Sequence, residues 1–406
     1  MRIAVIGAGA AGMMAAGRAA ELGGEVTLFE KNKFSGKKLR ITGKGRCNVC
    51  NDCDVNTVIE NVPTNPRFLY TALSSFEPSD TKAFFEEMGV PLKTERGNRV
   101  FPISDKAEDI VNALRNYTKK YNVNYVNEEV KSVSLDGDVF TVKANVPREF
   151  DRVIVATGGA SYPLTGSTGD GYRIAKAFDI DVTELSPSLV PLETIDRDPA
   201  EMQGLSLKNT GLEVVDTQNG KCVYRDFGEM MFTHYGVTGP MILSASSHLG
   251  KIQSGRYKLL LDLKPALDEK TLDARLLSDF QKSLNRDFAN SLSALLPQKM
   301  IPVIIKRSKI PPSKKVNAIT KEERRALLEL LKSFELTVKS ARPLNEAIIT
   351  SGGVSVKELS PKTMESKKVP GLYFCGEVID VDAYTGGFNL QIAFSTARLA
   401  AENAIY

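Results

Sequence analysis

Residues 2–30 read RIAVIGAGAAGMMAAGRAAELGGEVTLFE, and this stretch decides the fold. Arg2 to Ile6 is a short β-branched run that reads as a buried strand. Gly7-Ala8-Gly9-Ala10-Ala11-Gly12 follows at once. Met13 to Leu22, rich in Ala and Met, then reads as a helix, and Val26 to Phe29 as a second buried strand that Glu30 ends. This is G-x-G-x-x-G with a strand before it, a helix after it and an acid roughly 20 residues on, the context that separates a dinucleotide fingerprint from a glycine-rich turn. Gly7 is assigned the tight turn, Gly9 the backbone approach of a pyrophosphate, and Gly12 the close packing of helix on sheet. Ala10 and Ala11 open the helix whose free N–H groups attract phosphate. Glu30, with Lys31 beside it, is placed at an adenosine ribose.

Working outward, Arg152 to Gly159 (RVIVATGG) is a further buried strand, ending in Thr157-Gly158-Gly159. Val130 to Leu135 and Val139 to Ala144 flank Asp136-Gly137, a hairpin signal. Near the C-terminus Leu372 to Cys375 is another buried strand, closed by Gly376-Glu377, and Gly386-Gly387 opens a helix from about Asn389 to Asn403. This returning segment favours FAD over NAD, and its order resembles the two-dinucleotide-binding-domain flavoproteins of the glutathione-reductase type. In that group the C-terminal strand and acid contact the ribityl chain, and the following helix points its N-terminus at the flavin pyrimidine.

Five segments carry a closer resemblance: GKKLRITGKGRCNVCN (36–51), NRVFPISDKA (98–107), GSTGDGY (166–172), MFTHYGVTGP (231–240) and GEVIDVDAYTGGFNLQ (376–391). Together they look like the bacterial flavoprotein family that includes aminoacetone oxidase and the BaiN-type bile-acid reductase, over nearly the whole chain. The resemblance implies an α/β, Rossmann-like FAD-binding domain interrupted by a β-rich insert that carries a helical subdomain. It also implies cofactor contacts at Lys38, Thr42, Gly43 and Asn48 beside the ribityl chain and ring, and at the Val130 backbone for adenine. Thr157 and Gly158 approach the dinucleotide. Gly376, Glu377, Gly387, Phe388, Asn389 and Gln391 face the reduced flavin, with substrate stacked between ring and insert.

The texture of the chain gives the same layout. Strands and helices alternate over residues 1–188, with helices opening at Ser79 and Asp105. Residues 189–265 break into short strands (205–207, 212–215, 221–225, 229–232, 257–261), with Asn219-Gly220 as a hairpin turn. Residues 266–334 are helical in pattern, with a Thr320/Glu323 capping box. Residues 335–347 return through the insert, and 348–406 complete the FAD-binding domain.

The 406 residues, 42% hydrophobic and 25% charged, exclude a disordered tail, and a net charge of +4 does not by itself mark a nucleic-acid binder. Five cysteines fit a reducing compartment better than a disulfide scaffold. Ile3 to Gly17 holds four glycines and divides into strand and helix, unlike a secretory segment, so a cytoplasmic protein without a membrane span is expected.

Three features admit a sharper reading. Cys47, Cys50 and Cys53 have the spacing of a cluster-binding run, but are read as structural or incidental thiols, with no metal. His234 is a candidate acid/base or substrate group, as is Tyr384; a hydrogen-bonded structural histidine is the plainer reading. His248 is placed on the surface. Gln298 to Lys315 holds six cations and no acid, and is read as a solvated surface rather than a nucleic-acid patch. The expected activity is an FAD oxidoreductase, first an NAD(P)H-linked reductase of a small organic acceptor such as an activated C=C. The alternatives are an amine oxidase producing hydrogen peroxide and an RNA-associated flavoprotein. A single dinucleotide fingerprint means that any nicotinamide docks directly on the flavin.

Overall fold

The Arg2–Ile6 strand runs through the middle of a five-stranded parallel sheet, in the order Leu372–Phe374, Arg152–Val155, Arg2–Ile6, Glu25–Phe29, Asn124–Val126. Ile3, Val5, Leu28, Val153, Ile154 and Phe374 are buried, as expected for parallel strands covered on both faces. The Ala10–Glu21 helix packs against the Ala107–Lys120 helix and against the C-terminal helix Phe388–Ile405. The computed structural model describes residues 1–250 and 252–406. The chain divides into two compact units: Met1–Ser188 with Leu344–Tyr406, and Leu189–Pro343.

Two small antiparallel sheets decorate the first unit. One orders Cys50–Asn51, Arg99–Pro102 and Leu92–Glu95; the other is the meander Ser132–Asp136, Val139–Lys143, Pro147–Phe150. Ser186–Ser188 pairs antiparallel with Ile349–Ser351, so the chain leaves and re-enters this unit along one ladder. Helix starts differ slightly from the sequence expectation. Pro78 opens the helix expected at Ser79, behind a Glu77/Asp80 capping box, and Ala107 opens the one expected at Asp105.

The second unit is built on a closed six-stranded barrel: Leu192–Thr194, Gly236–Thr238, Lys221–Phe232, Ser206–Asp216, Tyr257–Asp262, Phe334–Ala341. The four short strands expected between 205 and 232 are in fact two long ones, with register shifts at Leu207/Thr210 and Val214/Val215. The first shift bulges out Lys208-Asn209 without ending the strand, and polar Arg225-Asp226 pair in regular register with Glu213 and Leu212, where the sequence suggests breaks. Phe334–Ala341 closes the barrel, instead of merely returning through it. Helices Glu269–Gln281, Ile301–Ser308 and Lys321–Lys332 bury Leu272, Leu276, Ile304, Leu327 and Leu331 in the same core as Phe232 and Leu259. Thr320 and Glu323 exchange the two hydrogen bonds of a capping box.

Candidate cofactor and active site

The glycine loop shows why each glycine is there. Gly7 has φ +102°, and a Cβ on it would lie 2.6 Å from the Ala156 carbonyl oxygen. A Cβ on Gly12 would lie 1.7 Å from the Gly7 oxygen, so the helix sits on the loop as closely as backbone allows. A Cβ on Gly9 would meet no protein atom within 4 Å. It would project into a cavity that Gly9, Ala10 and Ala11 line. Gly9 is the N-cap of the Ala10–Glu21 helix and no side chain caps it, so the first-turn N–H groups and the positive end of the helix dipole are presented to that cavity.

Glu30 is fixed at the cavity edge. Its Oε2 accepts from the Ala8 amide at 2.9 Å, and its Oε1 accepts from the Asn32 amide at 2.7 Å and from Asn32 Nδ2 at 2.8 Å. Lys31 is turned away from Glu30 and donates to Thr168 Oγ1 and Asp170 Oδ2, both at 2.5 Å. Val130, Thr157, Gly158 and Ser167 complete this end. The other end is closed by a network. Lys38 Nζ donates to Glu377 Oε2 at 2.6 Å and to Ser161 Oγ at 2.8 Å. Glu377 Oε1 accepts from Ser161 Oγ and from the Thr350 amide, each at 3.0 Å. Thr42, Asn389, Leu390, Ile392 and Ala393 line the wall beside it. The cavity is partly open to solvent. All of it is built by the first unit. An elongated cavity with an uncapped helix N-terminus in its wall, an anchored acid at one end and open space above Gly9 fits a dinucleotide.

The remaining expected contact residues stand behind this wall. Gly43, at φ +56°, packs on the Asn48 amide; Asn48 Oδ1 is buried with no hydrogen-bond partner. Gly376 donates its N–H to Thr396 Oγ1 at 3.0 Å. Phe388 is in the core, and the wholly buried Gln391 donates to the Phe76 oxygen at 2.9 Å and to Ser395 Oγ at 3.0 Å. Gly387, at φ +99°, packs on Cys50: a Cβ there would fall 2.4 Å from both the carbonyl carbon and oxygen of Cys50. The close approach that the Gly386-Gly387 pair permits is thus to protein backbone, and Asn51 Nδ2 reinforces it by donating to the Gly386 oxygen at 3.1 Å. Asn389 faces the cavity, while its side chain holds the preceding loop through Ala383 N (2.9 Å) and Ala383 O (2.7 Å). Ser161, Thr350, Asn32 and Asp170 are the site residues that sequence reasoning missed. Asp170 lies in the GSTGDGY segment (166–172), and Thr350 in the stretch IITSGG (348–353) that begins the second segment of the FAD-binding domain.

Neither catalytic candidate lines this cavity. His234 is in the second unit, edge-on to Tyr235 with centroids 4.9 Å apart. Tyr384 donates its amide to the Asn61 oxygen at 3.0 Å, and burial, with Asp382 nearby, raises its phenol above the usual range. His248 is half-buried and stacks at 4.3 Å on Tyr224; burial lowers its pKa. Cys47 and Cys50 are buried and Cys53 half-buried. Desolvation pushes the first two thiols up to about 12 and the third to about 11. Among the described residues no group of three or more His, Cys, Asp or Glu is arranged to hold a metal ion, and no helix is long and apolar enough to cross a membrane.

The basic stretch of the second unit is largely neutralised. Lys306 pairs with Asp198 and Glu201, Arg307 with Asp196 and Asp198, Lys314 with Glu323, and Lys315 with Asp287. Lys299 donates to the Gln203 carbonyl.

The HI0933-like protein Rossmann domain family matches residues 1–403. A 3-dehydro-bile acid delta(4,6)-reductase of Clostridium scindens is 29% identical over 99% of this chain and 98% of its own. A ribosomal RNA dihydrouridine synthase of Escherichia coli is 32% identical over 99% of this chain and 97% of its own. Among solved structures, a 3-ketosteroid delta1-dehydrogenase from Sterolibacterium denitrificans superposes with a TM-score of 0.53 at 13% identity, over 99% of both chains. That likeness speaks to the fold.

Proposed function

Because the chain belongs to the HI0933-like Rossmann-domain family and is an FAD-dependent oxidoreductase, we propose that it reduces a carbon–carbon double bond conjugated to a carbonyl. The proposed substrate is the uracil ring of ribosomal RNA, with NAD(P)H as the outside electron donor. The two enzyme names among its relatives describe one chemistry on different molecules. A 3-dehydro-delta(4,6) steroid acid is a conjugated dienone. Uracil carries its ring C=C next to a C=O. In each case a hydride adds to the carbon remote from the carbonyl and a proton to the carbon beside it, so two hydrogens and two electrons are gained. The uracil enzyme is 32% identical to this chain and the steroid enzyme 29%.

The observation that carries the reading is the cavity of the first unit, with its uncapped helix N-terminus and anchored Glu30. FAD bound there supplies the hydride. The Gly9 backbone and the N–H groups of Ala10 and Ala11 hold the pyrophosphate. Glu30 accepts from the adenosine ribose, and the Val130 backbone meets adenine. Thr157 and Gly158 lie along the dinucleotide. Lys38 and Thr42 would hold the ribityl side, with the Gly43–Asn48 loop packed behind them. Glu377, with the backbone at Phe388 and Asn389, orients the ring and stabilises negative charge on its reduced form.

The test is nucleoside analysis of ribosomal RNA from a strain lacking the gene. Loss of a 5,6-dihydrouridine, restored by the wild-type gene but not by Gly9→Val, supports the reading. An unchanged dihydrouridine content, with saturation of a 3-oxo-4,6-diene steroid acid by the purified enzyme, moves the substrate to the steroid class. Bleaching of the flavin by amines with release of hydrogen peroxide replaces the reading by an oxidase.

A further inference from the structure

Residues 31–51 hold seven cations (Lys31, Lys33, Lys37, Lys38, Arg40, Lys44, Arg46) and no acid. Four of them are spent on carboxylates: Lys31 on Asp170, Lys38 on Glu377, Arg40 on Glu108, and Arg46 on Glu95 and Asp105. Lys33, Lys37 and Lys44 are exposed and take part in none of the ion pairs among the described residues. Between them stand large apolar side chains that water should repel. Phe34 is 61% exposed, with Lys33 Nζ 5.5 Å from its ring centroid, and Ile41 is also exposed.

A second segment joins them. Lys37 Nζ donates to the Leu164 oxygen at 2.5 Å, and Asn32 Nδ2 donates to the Thr165 oxygen at 3.1 Å. Leu164, at the tip of that Pro163–Thr165 turn, is 87% exposed. Lys37 and Thr165 also line the cavity, so this surface is the outer rim of its mouth.

We infer that this rim, built on Lys33, Phe34, Lys37, Lys44 and Leu164, binds a single-stranded RNA segment. The inference deepens the proposed function and rests on it. Cations that no carboxylate neutralises match phosphates. An exposed aromatic ring with an exposed leucine nearby matches unstacked bases, which every nucleotide can offer regardless of sequence. A uracil reaches a buried reductant only when it leaves its stack, so the chain on either side of it must be held open and unpaired. The basic stretch of the second unit has the same cation density, six in 18 residues against seven in 21, but carboxylate partners neutralise four of its six cations.

The test is fluorescence anisotropy of a labelled single-stranded oligoribonucleotide containing uridine, titrated with FAD-loaded enzyme at several salt concentrations. Lys33→Ala with Lys44→Ala removes two phosphate contacts and should lower the log–log salt slope by about 1.4, from about 0.7 per phosphate on a single strand. Phe34→Ala should weaken binding roughly tenfold at an unchanged slope. Lys309→Asn, in the second unit, should bind as the wild type does. FAD content and melting temperature of each variant check that the fold is intact. Wild-type affinity and slope in the rim variants overturn the rim while leaving the uridine reading in place. An enzyme that binds no RNA even at low salt overturns the rim, and the uridine reading then stands or falls on the ribosomal RNA of the deletion strain.

Discussion

Lys38 Nζ lies 2.6 Å from Glu377 Oε2, joining two points 339 residues apart in the chain. The pair is partly buried, and Ser161 bonds to both partners. It ties the segment after the second strand of the sheet to the segment after the last one, so the cavity closes only when the chain has returned from the second unit. It also places one positive and one negative charge where the proposed function puts the flavin.

Separating those charges gives the first prediction. Glu377→Gln leaves the Lys38 ammonium uncompensated and should raise the flavin reduction potential; Lys38→Met leaves the carboxylate and should lower it. For a charge about 6 Å away at an effective dielectric near 20 the shift is on the order of 1–3 kcal/mol, or roughly 20–60 mV for two electrons. The double variant should return toward the wild type. Equal potentials in all four proteins would remove the pair from the flavin's surroundings.

The last two glycines of the fingerprint should fail differently. Gly9→Val should fold, because nothing in the protein stands within 4 Å of the added Cβ, and lose FAD. Gly12→Val should lose the fold itself, because its Cβ meets the Gly7 oxygen. Urea midpoints and FAD content after gel filtration separate the two. Glu30→Ala should weaken FAD by on the order of 1–3 kcal/mol, part of it through the freed Ala8 and Asn32 amides.

Gly387→Ala should destabilise the protein by on the order of 1–3 kcal/mol from its left-handed backbone alone, and by more from the approach to Cys50. Asn51→Ala, which removes hydrogen bonds to both the Gly386 and the Gly97 oxygens, should cost about 1–3 kcal/mol. Thermal unfolding checks both. An unaltered midpoint in Gly387→Ala would show that the turn is not held against Cys50.

The cysteine run predicts an alkaline limit. Below about pH 9 the thiols are protonated in both folded and unfolded chains and have no effect on stability with pH. Between 9 and about 12 the unfolded thiols ionise while folded Cys47 and Cys50 do not. The folded state then binds more protons, and stability falls as pH rises through that window. Urea midpoints should decline from pH 9 upward, less so in Cys50→Ala. Iodoacetamide at pH 8 should modify the exposed Cys222 long before Cys47 or Cys50.

Much of this was legible in the chain because one local signal carried it. Gly7, Gly9, Gly12 and Glu30 lie within a single βαβ unit, whose spacing is set by backbone geometry alone. The barrel was harder to read. Ser206–Asp216 and Lys221–Phe232 alternate poorly where the ladder bulges, and closure by Phe334–Ala341 depends on pairing with strands more than 70 residues earlier. The same limit hid Ser161 and Thr350. Their place beside Glu377 comes from tertiary hydrogen bonds that leave no periodic mark on the sequence. Gly387 shows the converse: the Gly-Gly turn before the last helix was plain, but the neighbour it makes room for was not.

Hydride transfer from this protein to a conjugated carbon–carbon double bond is open to direct measurement. The most direct measurement is a single anaerobic turnover. Enzyme whose flavin has been reduced photochemically is mixed with ribosomal RNA from the deletion strain and, separately, with a 3-oxo-4,6-diene steroid acid, while flavin absorbance is followed. The oxidised flavin spectrum should return with one of these acceptors, with one double bond saturated for each flavin reoxidised. A flavin that stays reduced with both, and is reoxidised only when oxygen is admitted, would contradict it.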